Sequence, residues 1–163
     1  MLVVSDTTPL ISFLKINQID LLRRLFGEVV IPYAVYEELT VDKRFEEEAE
    51  CIKNKNFIII KDVESQESVD ILRKVSGLDK GESEAIVLSN ELNADIILMD
   101  EVKGRTVSGQ MGLDIMGTIG ILMAAYEENE ITAQDVVNCV DGLQKAGRHI
   151  SNKYYQMLLE RLK

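Results

Sequence analysis

The sequence predicts an α/β fold of three layers, in which a central parallel sheet of about five strands lies between two layers of helices. Two observations predict it. Short apolar runs with the length of a buried strand recur along the chain, and segments with apolar residues at helical spacing separate them. Because strands that alternate with helices pair in parallel, the alternation predicts a parallel sheet covered on both faces.

The first strand is predicted within residues 2–8, and its apolar run ends in a carboxylate, Asp6. Open α/β sheets place ligands at the carboxyl ends of their strands, so Asp6 is expected to face a crevice. Pro9 suits the first turn of the helix that follows, because its missing N–H would have no partner there. Thr7 or Thr8 is expected to cap this helix with a side-chain oxygen, and capping is also the alternative role of Asp6.

The same patterns predict the later elements. Pro32 is expected to end a strand at residues 28–31 and to open the next helix. The other predicted strands are residues 57–60, 94–99 and 113–116, the last at an edge of the sheet. The other predicted helices are residues 18–26, 65–75, 81–92, 101–111, 118–128, 133–146 and 152–162. Val69, Leu72 and Val75 are expected to face inward, and Thr118 is expected to cap its helix.

Length and composition predict one domain over residues 1–163, with the helices from about residue 133 onwards packed on it. Cys51 and Cys139 have no CxxC or Cys/His spacing, so reduced thiols are expected and a zinc site is not. No apolar run reaches the ~18 residues that a membrane span requires, and the N-terminus lacks a basic segment. A soluble, cytoplasmic protein without a membrane partner is therefore expected.

The charge of the chain is strongly negative and unevenly distributed. A formal net charge of −10 argues against passive binding to nucleic acid, unless divalent cations supply the positive charge. Residues 143–163, called here the basic tail, carry five Lys or Arg and the single acid Glu160. The basic tail is the one candidate surface for an acidic partner, and a solvated helix face is its alternative interpretation.

Four acidic residues follow predicted strands or lie on the helices after them: Asp6, Glu38, Glu82 and Asp100. Glu38 is expected beside the inward stripe of its helix. Glu82 begins a stripe of small and apolar residues, whereas the same helical steps from Glu84 reach Glu91, whose unpaired burial would cost several kcal/mol. Glu82 is therefore preferred for the third acidic position, with Glu84 as the alternative.

Carboxylates gathered without matching cations repel one another, and a bound hard cation with oxygen ligands, Mg²⁺ or Mn²⁺, relieves that repulsion. Such ions can clamp the attacking and leaving oxygens of a phosphodiester. Ordinary stabilisation of helix N-termini is the alternative role for these acids. Crowded like charges also raise carboxyl pKa values, so Asp100→Asn is expected to raise the melting temperature of the metal-free protein.

These residues carry a resemblance to the PIN domain family over nearly the whole chain. The matching motifs, in the order of the family, are Asp6-Thr7-Thr8-Pro9-Leu10-Ile11, Val30-Ile31-Pro32 through Glu38-Leu39, Gly81-Glu82-Ser83-Glu84-Ala85-Ile86, and Ile97-Leu98-Met99-Asp100 with Arg105. The chain is most similar to PIN domains with a Gly-Glu-x-Glu-Ala-Ile helix and a later Gly-Thr, here Gly117-Thr118.

The resemblance implies a function and a set of site residues. It implies an endoribonuclease that binds Mg²⁺ or Mn²⁺ and cleaves single-stranded or structured RNA. The implied catalytic and metal-binding residues are Asp6, Glu38, Glu82 and Asp100, although many PIN domains carry Asp where this chain has Glu82. The implied substrate contacts are the hydroxyls of Thr7 and Thr8 and, near a phosphate, Lys103 and Arg105. Helix capping and a solvated loop are the respective alternatives.

The resemblance also implies partners. Many PIN domains are VapC-like toxins that pair with an antitoxin, and a homodimer is expected. The alternative function is a catalytically silent PIN-like module for RNA binding or dimerisation. Thr8 stands where a haloacid-dehalogenase-like phosphotransferase needs a second Asp, which argues against that class. His149, the only histidine, has no partner at catalytic spacing, so a histidine general base is not expected.

Overall fold

The computed structural model describes residues 1–41 and 43–162. Within them, five parallel strands form one sheet in the order β3-β2-β1-β4-β5. The strands are β1 (Val3–Ser5), β2 (Val29–Pro32), β3 (Ile58–Lys61), β4 (Ile96–Leu98) and β5 (Ile115–Met116). The predicted α/β fold with a parallel sheet of five strands is confirmed.

Ten α-helices lie within the described residues, and a short 3₁₀ helix (Lys43–Phe45) precedes the fourth of them. They are α1 (Thr7–Lys15), α2 (Asp20–Phe26), α3 (Tyr33–Val41), α4 (Glu46–Lys53), α5 (Gln66–Ser76), α6 (Lys80–Glu91), α7 (Val102–Gln110), α8 (Thr118–Glu127), α9 (Ala133–Lys145) and α10 (Asn152–Arg161). Helix α4 has no counterpart among the predicted elements. It buries only two apolar side chains, Ala49 and Ile52, in an acid-rich segment, so its apolar stripe is too short to stand out.

The two faces of the sheet carry separate apolar cores, because successive residues of a strand point to opposite sides. Val3 belongs to the larger core, which it shares with helices α1, α8, α9 and α10, whereas Val4 belongs to the smaller core under α5 and α6. Val140 of α9 and Leu158 of α10 are buried in the larger core. Both faces are covered, as a parallel sheet requires.

Some local expectations are wrong. Neither Thr7 nor Thr8 is the N-cap of α1, because Asp6 takes that position and Thr7 is the first helical residue. Thr118 does not cap α8, since Gly117 does and Thr118 begins the helix. Val75 is 82% exposed rather than inward, because α5 ends one residue later at the surface.

The order of the strands creates a crevice at the carboxyl edge beside β1. From β1 the chain builds the sheet in one direction through β2 and β3, and then returns to add β4 and β5 on the other side. Such a switch point is where open α/β sheets bind ligands. Ser5 aligns with Leu98, so Asp6 and the residues that follow β4 leave the sheet at the same place.

Two further features were expected from composition. Cys51 and Cys139 are both free thiols. Among residues 1–41 and 43–162, no helix is both long and apolar enough to cross a membrane.

Candidate functional site

Asp6 lies at the centre of a group of carboxylates at the carboxyl edge of the sheet. Its side chain is only 4% exposed, and burial raises its pKa from 3.8 to about 7. The Thr7 backbone N–H opposes this increase, whereas the negative charges of Asp79, Glu38 and Asp100 add to it. The structure therefore brings Glu38 and Asp100 within electrostatic range of Asp6, as the sequence predicts.

Glu82 is the second buried carboxylate of the group, and it uses only one of its oxygens. Glu82 Oε1 accepts a hydrogen bond from Asp79 N at 3.4 Å, while Glu82 N donates to Asp79 Oδ1 at 2.8 Å, which is a capping box at the start of α6. Glu82 Oε2 is buried without a hydrogen-bond partner among the described residues. Burial, followed by the neighbouring acids Asp79, Asp6 and Glu101, raises the pKa of Glu82 to about 8.

The rival acid, Glu84, has a different partner. It is 2% exposed, and its Oε1 accepts a hydrogen bond from Ala34 N at 3.2 Å, which joins α6 to the start of α3. The sequence argument against it was wrong in one premise, because Glu91 accepts hydrogen bonds from the backbone N–H groups of Glu64 and Ser65. Glu82 still differs from Glu84 in the one respect that matters for a ligand, since its Oε2 has no partner.

Glu38 reaches the group from α3, and its side chain is exposed. Its Oε2 accepts a hydrogen bond from Thr7 Oγ1 at 2.9 Å, so the Thr7 hydroxyl orients this carboxylate. A Cβ placed on Gly81 would lie 3.0 Å from Glu38 Oε2, which shows how closely α3 and α6 approach here. A cavity of about 390 Å³, lined by Glu37, Glu38 and Asp79 among others, opens at this point.

Asp100, which follows β4, is held by three hydrogen bonds. Its Oδ1 accepts from Thr118 N at 2.7 Å, and its Oδ2 accepts from Thr118 Oγ1 at 2.6 Å and from Arg148 Nη1 at 3.4 Å. Arg148 Nη1 also donates to the Ser12 hydroxyl. The first residue of α8 and the loop before α10 therefore fix the orientation of Asp100 and neutralise part of its charge.

The two predicted basic contacts lie in different places. A Cβ placed on Gly117 would be 2.7 Å from Arg105 Nη1 and 3.0 Å from Asp100 Oδ1, so Arg105 is on the Asp100 side of the site. A Cβ placed on Gly77 would be 2.8 Å from Lys103 Nζ, so Lys103 lies beside the turn between α5 and α6. Thr8 follows Thr7 in the first turn of α1 and is partly buried.

Helix α7 covers Glu82 through a close approach at Gly104. A Cβ there would lie 3.1 Å from Glu82 Oε2 and would collide with the sulfur of Met99. Any larger residue at this position would have to displace Met99 and would crowd Glu82 Oε2. Glycine therefore keeps the space beside the unpartnered oxygen open.

Sequence reasoning missed two residues of the site. Asp79 could have been found from its spacing, because Asp-x-x-Glu before an apolar helix is the signature of a capping box. Arg148 had no local signal beyond its place in the basic tail, since 48 residues separate it from Asp100.

The donor set suits a hard divalent cation in the type and burial of its oxygens. Carboxylates alone form it, and no donor in residues 1–41 and 43–162 binds the buried Glu82 Oε2 in competition with a cation. Within the described part of the chain, no three Asp, Glu, His or Cys side chains are arranged to hold one ion together. Mg²⁺ does not need that, because it commonly keeps several waters and binds through one or two carboxylates and substrate phosphates.

Comparison with known families finds a match over nearly the whole chain. A family model described as a PIN domain matches residues 2–163. The chain belongs to the PIN domain family. PIN domains are generally nucleases that act on RNA, and they typically use divalent metal ions. No curated protein was found to match this PIN domain.

Proposed function

We propose that this PIN domain is a metal-dependent endoribonuclease that hydrolyses phosphodiester bonds in RNA. One observation carries the proposal: a buried carboxylate oxygen without a partner, Glu82 Oε2, lies beside the buried acid Asp6 at the switch point of the sheet. Burying two acids in this way costs stability unless protons or a cation neutralise them. A cation bound between the two acids would neutralise them, so their burial favours an enzyme that binds a cation there.

The proposed ligands of Mg²⁺ or Mn²⁺ are Asp6, Glu38, Glu82 and Asp100. When bound, the metal would stabilise negative charge on the phosphodiester and lower the pKa of the attacking water. Thr7 positions Glu38, and Thr118 positions Asp100, through the hydrogen bonds described above. Thr8, Arg105 and Lys103 are the proposed contacts to the RNA backbone.

Cleavage of a single-stranded RNA in Mg²⁺ or Mn²⁺, with and without chelator, tests the proposal. Asp6→Asn should lower the rate about 1000-fold or more, because a ligand of the ion and not a peripheral contact is lost. Asp70→Asn is the matched control, since Asp70 is an exposed acid on α5 away from the carboxylate group. Equal cleavage by the parent and Asp6→Asn proteins would refute the assignment of the site.

The arrangement of the acids also favours an alternative function. Because no three side chains of the described residues can hold one ion as they stand, the site fits a catalytically silent module for RNA binding or dimerisation as well. One RNA-binding titration, carried out in Mn²⁺ and in chelator, distinguishes the two functions. A silent module binds RNA with the same affinity in Mn²⁺ and in chelator and leaves it intact, whereas the nuclease converts it to fragments only in Mn²⁺.

The proposed assembly is a homodimer of single-domain subunits. Helices α9 and α10 share the larger core, which supports one domain over residues 1–163. Helix α5 leaves Ile71 and Val75 exposed at 55% and 82%, which supports contact with another chain. Light scattering that finds only an 18.4 kDa species at micromolar concentration would contradict the homodimer.

A VapC-like toxin role with an antitoxin partner remains a proposal that rests on the resemblance of the motifs. Expression of the parent protein should then arrest growth of a host cell, and expression of the Asp6→Asn protein should not. Normal growth with an amount of soluble parent protein that cleaves RNA in vitro would argue against the toxin role.

A further inference from the structure

A second cavity lies directly beside Asp100, at the part of the chain that the sequence singles out as its basic tail. Its volume is about 190 Å³. Thr118 and Arg148 both line it, and both donate hydrogen bonds to Asp100. The cavity, called here the tail cavity, is therefore separated from the proposed metal ligand Asp100 only by the side chains of Thr118 and Arg148.

The charge of the tail cavity is opposite to that of the carboxylate group. Among the described residues that line it, Arg148 and His149 supply the groups that can carry positive charge, and none is Asp or Glu. The chain as a whole has a net charge of −10. A surface that departs from the overall charge in this way, next to a group of acids, is suited to hold a polyanion in place.

The remaining lining is suited to an aromatic ring. Tyr154, at the start of α10, is 46% exposed, and Ile119 and Ile150 add apolar surface. The volume of about 190 Å³ is below the roughly 300–1000 Å³ of pockets that enclose a whole small-molecule ligand, so the cavity accommodates one ring system and not a complete nucleotide. A base that stacks on a tyrosine, with its phosphate outside, matches this size.

Arg148 has hydrogen-bonding capacity left for that phosphate. Both hydrogen bonds that its guanidinium makes with the described residues use Nη1, one to Ser12 Oγ and one to Asp100 Oδ2. A guanidinium has five N–H donors, so those on Nε and Nη2 remain for an anion. Ser12 and Asp100 hold the guanidinium in place, and a phosphate bound there would lie next to Asp100.

We propose that the tail cavity binds one base of a single-stranded RNA, with the ring of Tyr154 as the stacking surface and Arg148 as the contact to the adjoining phosphate. The proposal rests on the proposed nuclease function and adds to it a subsite that sets the position of the RNA relative to the carboxylates. It also gives Arg148, from the basic tail, a second role beside its contact with Asp100.

The experiment measures binding of a short single-stranded RNA that carries 2-aminopurine at each position in turn. All proteins carry Asp6→Asn, so that the RNA stays intact. Stacking on a tyrosine should change the 2-aminopurine emission at one position. Tyr154→Ala should abolish that change and weaken binding roughly 5- to 150-fold, the range produced by loss of one base–aromatic stack. Tyr154→Phe should keep both the change in emission and the affinity for RNA.

Two control variants separate the cavity from general effects of the tail. Met157→Ala truncates another exposed side chain of α10, 52% exposed, outside the cavity lining. Lys145→Gln removes a positive charge from the tail without touching the lining, whereas Arg148→Gln removes one from inside it. If Lys145→Gln weakens binding as much as Arg148→Gln, nonspecific attraction explains the effect and the subsite proposal is overturned.

The outcomes distinguish this proposal from the nuclease proposal. In one outcome, the protein with Asp6 intact cleaves RNA normally, and Tyr154→Ala changes neither RNA binding nor the 2-aminopurine emission. That outcome overturns the subsite alone. Loss of the emission change in Tyr154→Ala, together with no cleavage in any metal, supports the subsite and overturns the nuclease.

Discussion

Asp6 and Asp100 follow neighbouring strands of the same sheet, yet their surroundings differ in charge. Asp6 is buried beside other acids, and burial together with their negative charge raises its pKa to about 7. Asp100 accepts two hydrogen bonds from Thr118 and one from the guanidinium of Arg148. Within the part of the chain that the structure describes, the charges that act on Asp6 are therefore those of other acids, whereas Asp100 is paired with a cation.

The difference shows that position at a sheet edge does not decide which groups neutralise the negative charge of a carboxylate. Both residues are placed by the same rule, because parallel strands end at a common edge. Their partners come from elsewhere in the chain: α6 brings Glu82 next to Asp6, whereas the start of α8 and the loop before α10 bring Thr118 and Arg148 to Asp100. The proposed cation would therefore offset more negative charge on the Asp6 side than on the Asp100 side.

The largest expected effect is the difference in stability between two matched variants without metal, about 3–4 kcal/mol in total, because their melting temperatures shift in opposite directions. Asp6→Asn should stabilise the protein at pH 8 by about 2 kcal/mol, because it removes a buried negative charge whose raised pKa corresponds to at most about 4 kcal/mol. Asp100→Asn should destabilise it by about 1–2 kcal/mol, because the charge that binds Arg148 is lost. Thermal unfolding in chelator measures both.

This replaces the expectation from sequence, in which Asp100→Asn raises the melting temperature. The hydrogen bonds from Thr118 and Arg148 reverse the expected sign for Asp100 and leave Asp6 as the destabilising acid. Asp70→Asn should change the melting temperature little, as an exposed control. Shifts of the same sign in the Asp6 and Asp100 variants would show that the two sides of the site do not differ.

The next effect is stabilisation by metal. Mn²⁺ at ~100 times its dissociation constant should stabilise the parent protein by about 2.7 kcal/mol, provided that it binds only the folded state. The stabilisation should shrink in both Asp6→Asn and Asp100→Asn, because each protein has lost a proposed ligand. Melting curves with and without Mn²⁺ measure it. A full shift in Asp100→Asn would confine the metal site to the Asp6 side.

The smallest expected effect is the change in the free energy of unfolding per pH unit, which we expect to come from the Asp6 side alone. Because the folded pKa values of Asp6 and Glu82 are raised, to about 7 and about 8, the folded state binds these protons more tightly than the unfolded chain does. Their stabilising contribution is present below the unfolded pKa values, near 4, and is lost as pH rises through the folded ones. The metal-free protein should therefore lose stability between pH 5 and 8, by up to about 1.4 kcal/mol per pH unit for Asp6.

Urea unfolding at several pH values in chelator measures this slope. Asp6→Asn should make it shallower, because only the contribution of Glu82 remains, and Asp100→Asn should leave it as steep as in the parent. If all three proteins show the same slope, the protons are taken up elsewhere and the raised pKa of Asp6 does not govern the stability of the site.

Much of the fold and part of the site were predictable because they depend on short-range patterns. The strand that ends at Asp6 and the strand before Asp100 are each a continuous apolar run, which indicates a buried strand without reference to the rest of the chain. Helix α4 was missed because its buried surface is only Ala49 and Ile52, too little for a periodic pattern. The caps at Thr7 and Thr118 were wrong because a hydroxyl at a helix start can serve a distant carboxylate instead.

The sequence by itself determined the class of fold and the sheet edge at which Asp6 and Asp100 meet, because both follow from local periodicity and spacing, and its motifs carried the resemblance to the PIN domain family. Only the tertiary structure decided how the acids are compensated. Helix α7 covers the unpartnered Glu82 Oε2 at Gly104, and Asp100 is paired because folding brings Arg148 to it from 48 residues away. Partners across such separations are set by the packing of whole elements, and no local pattern of residues encodes them.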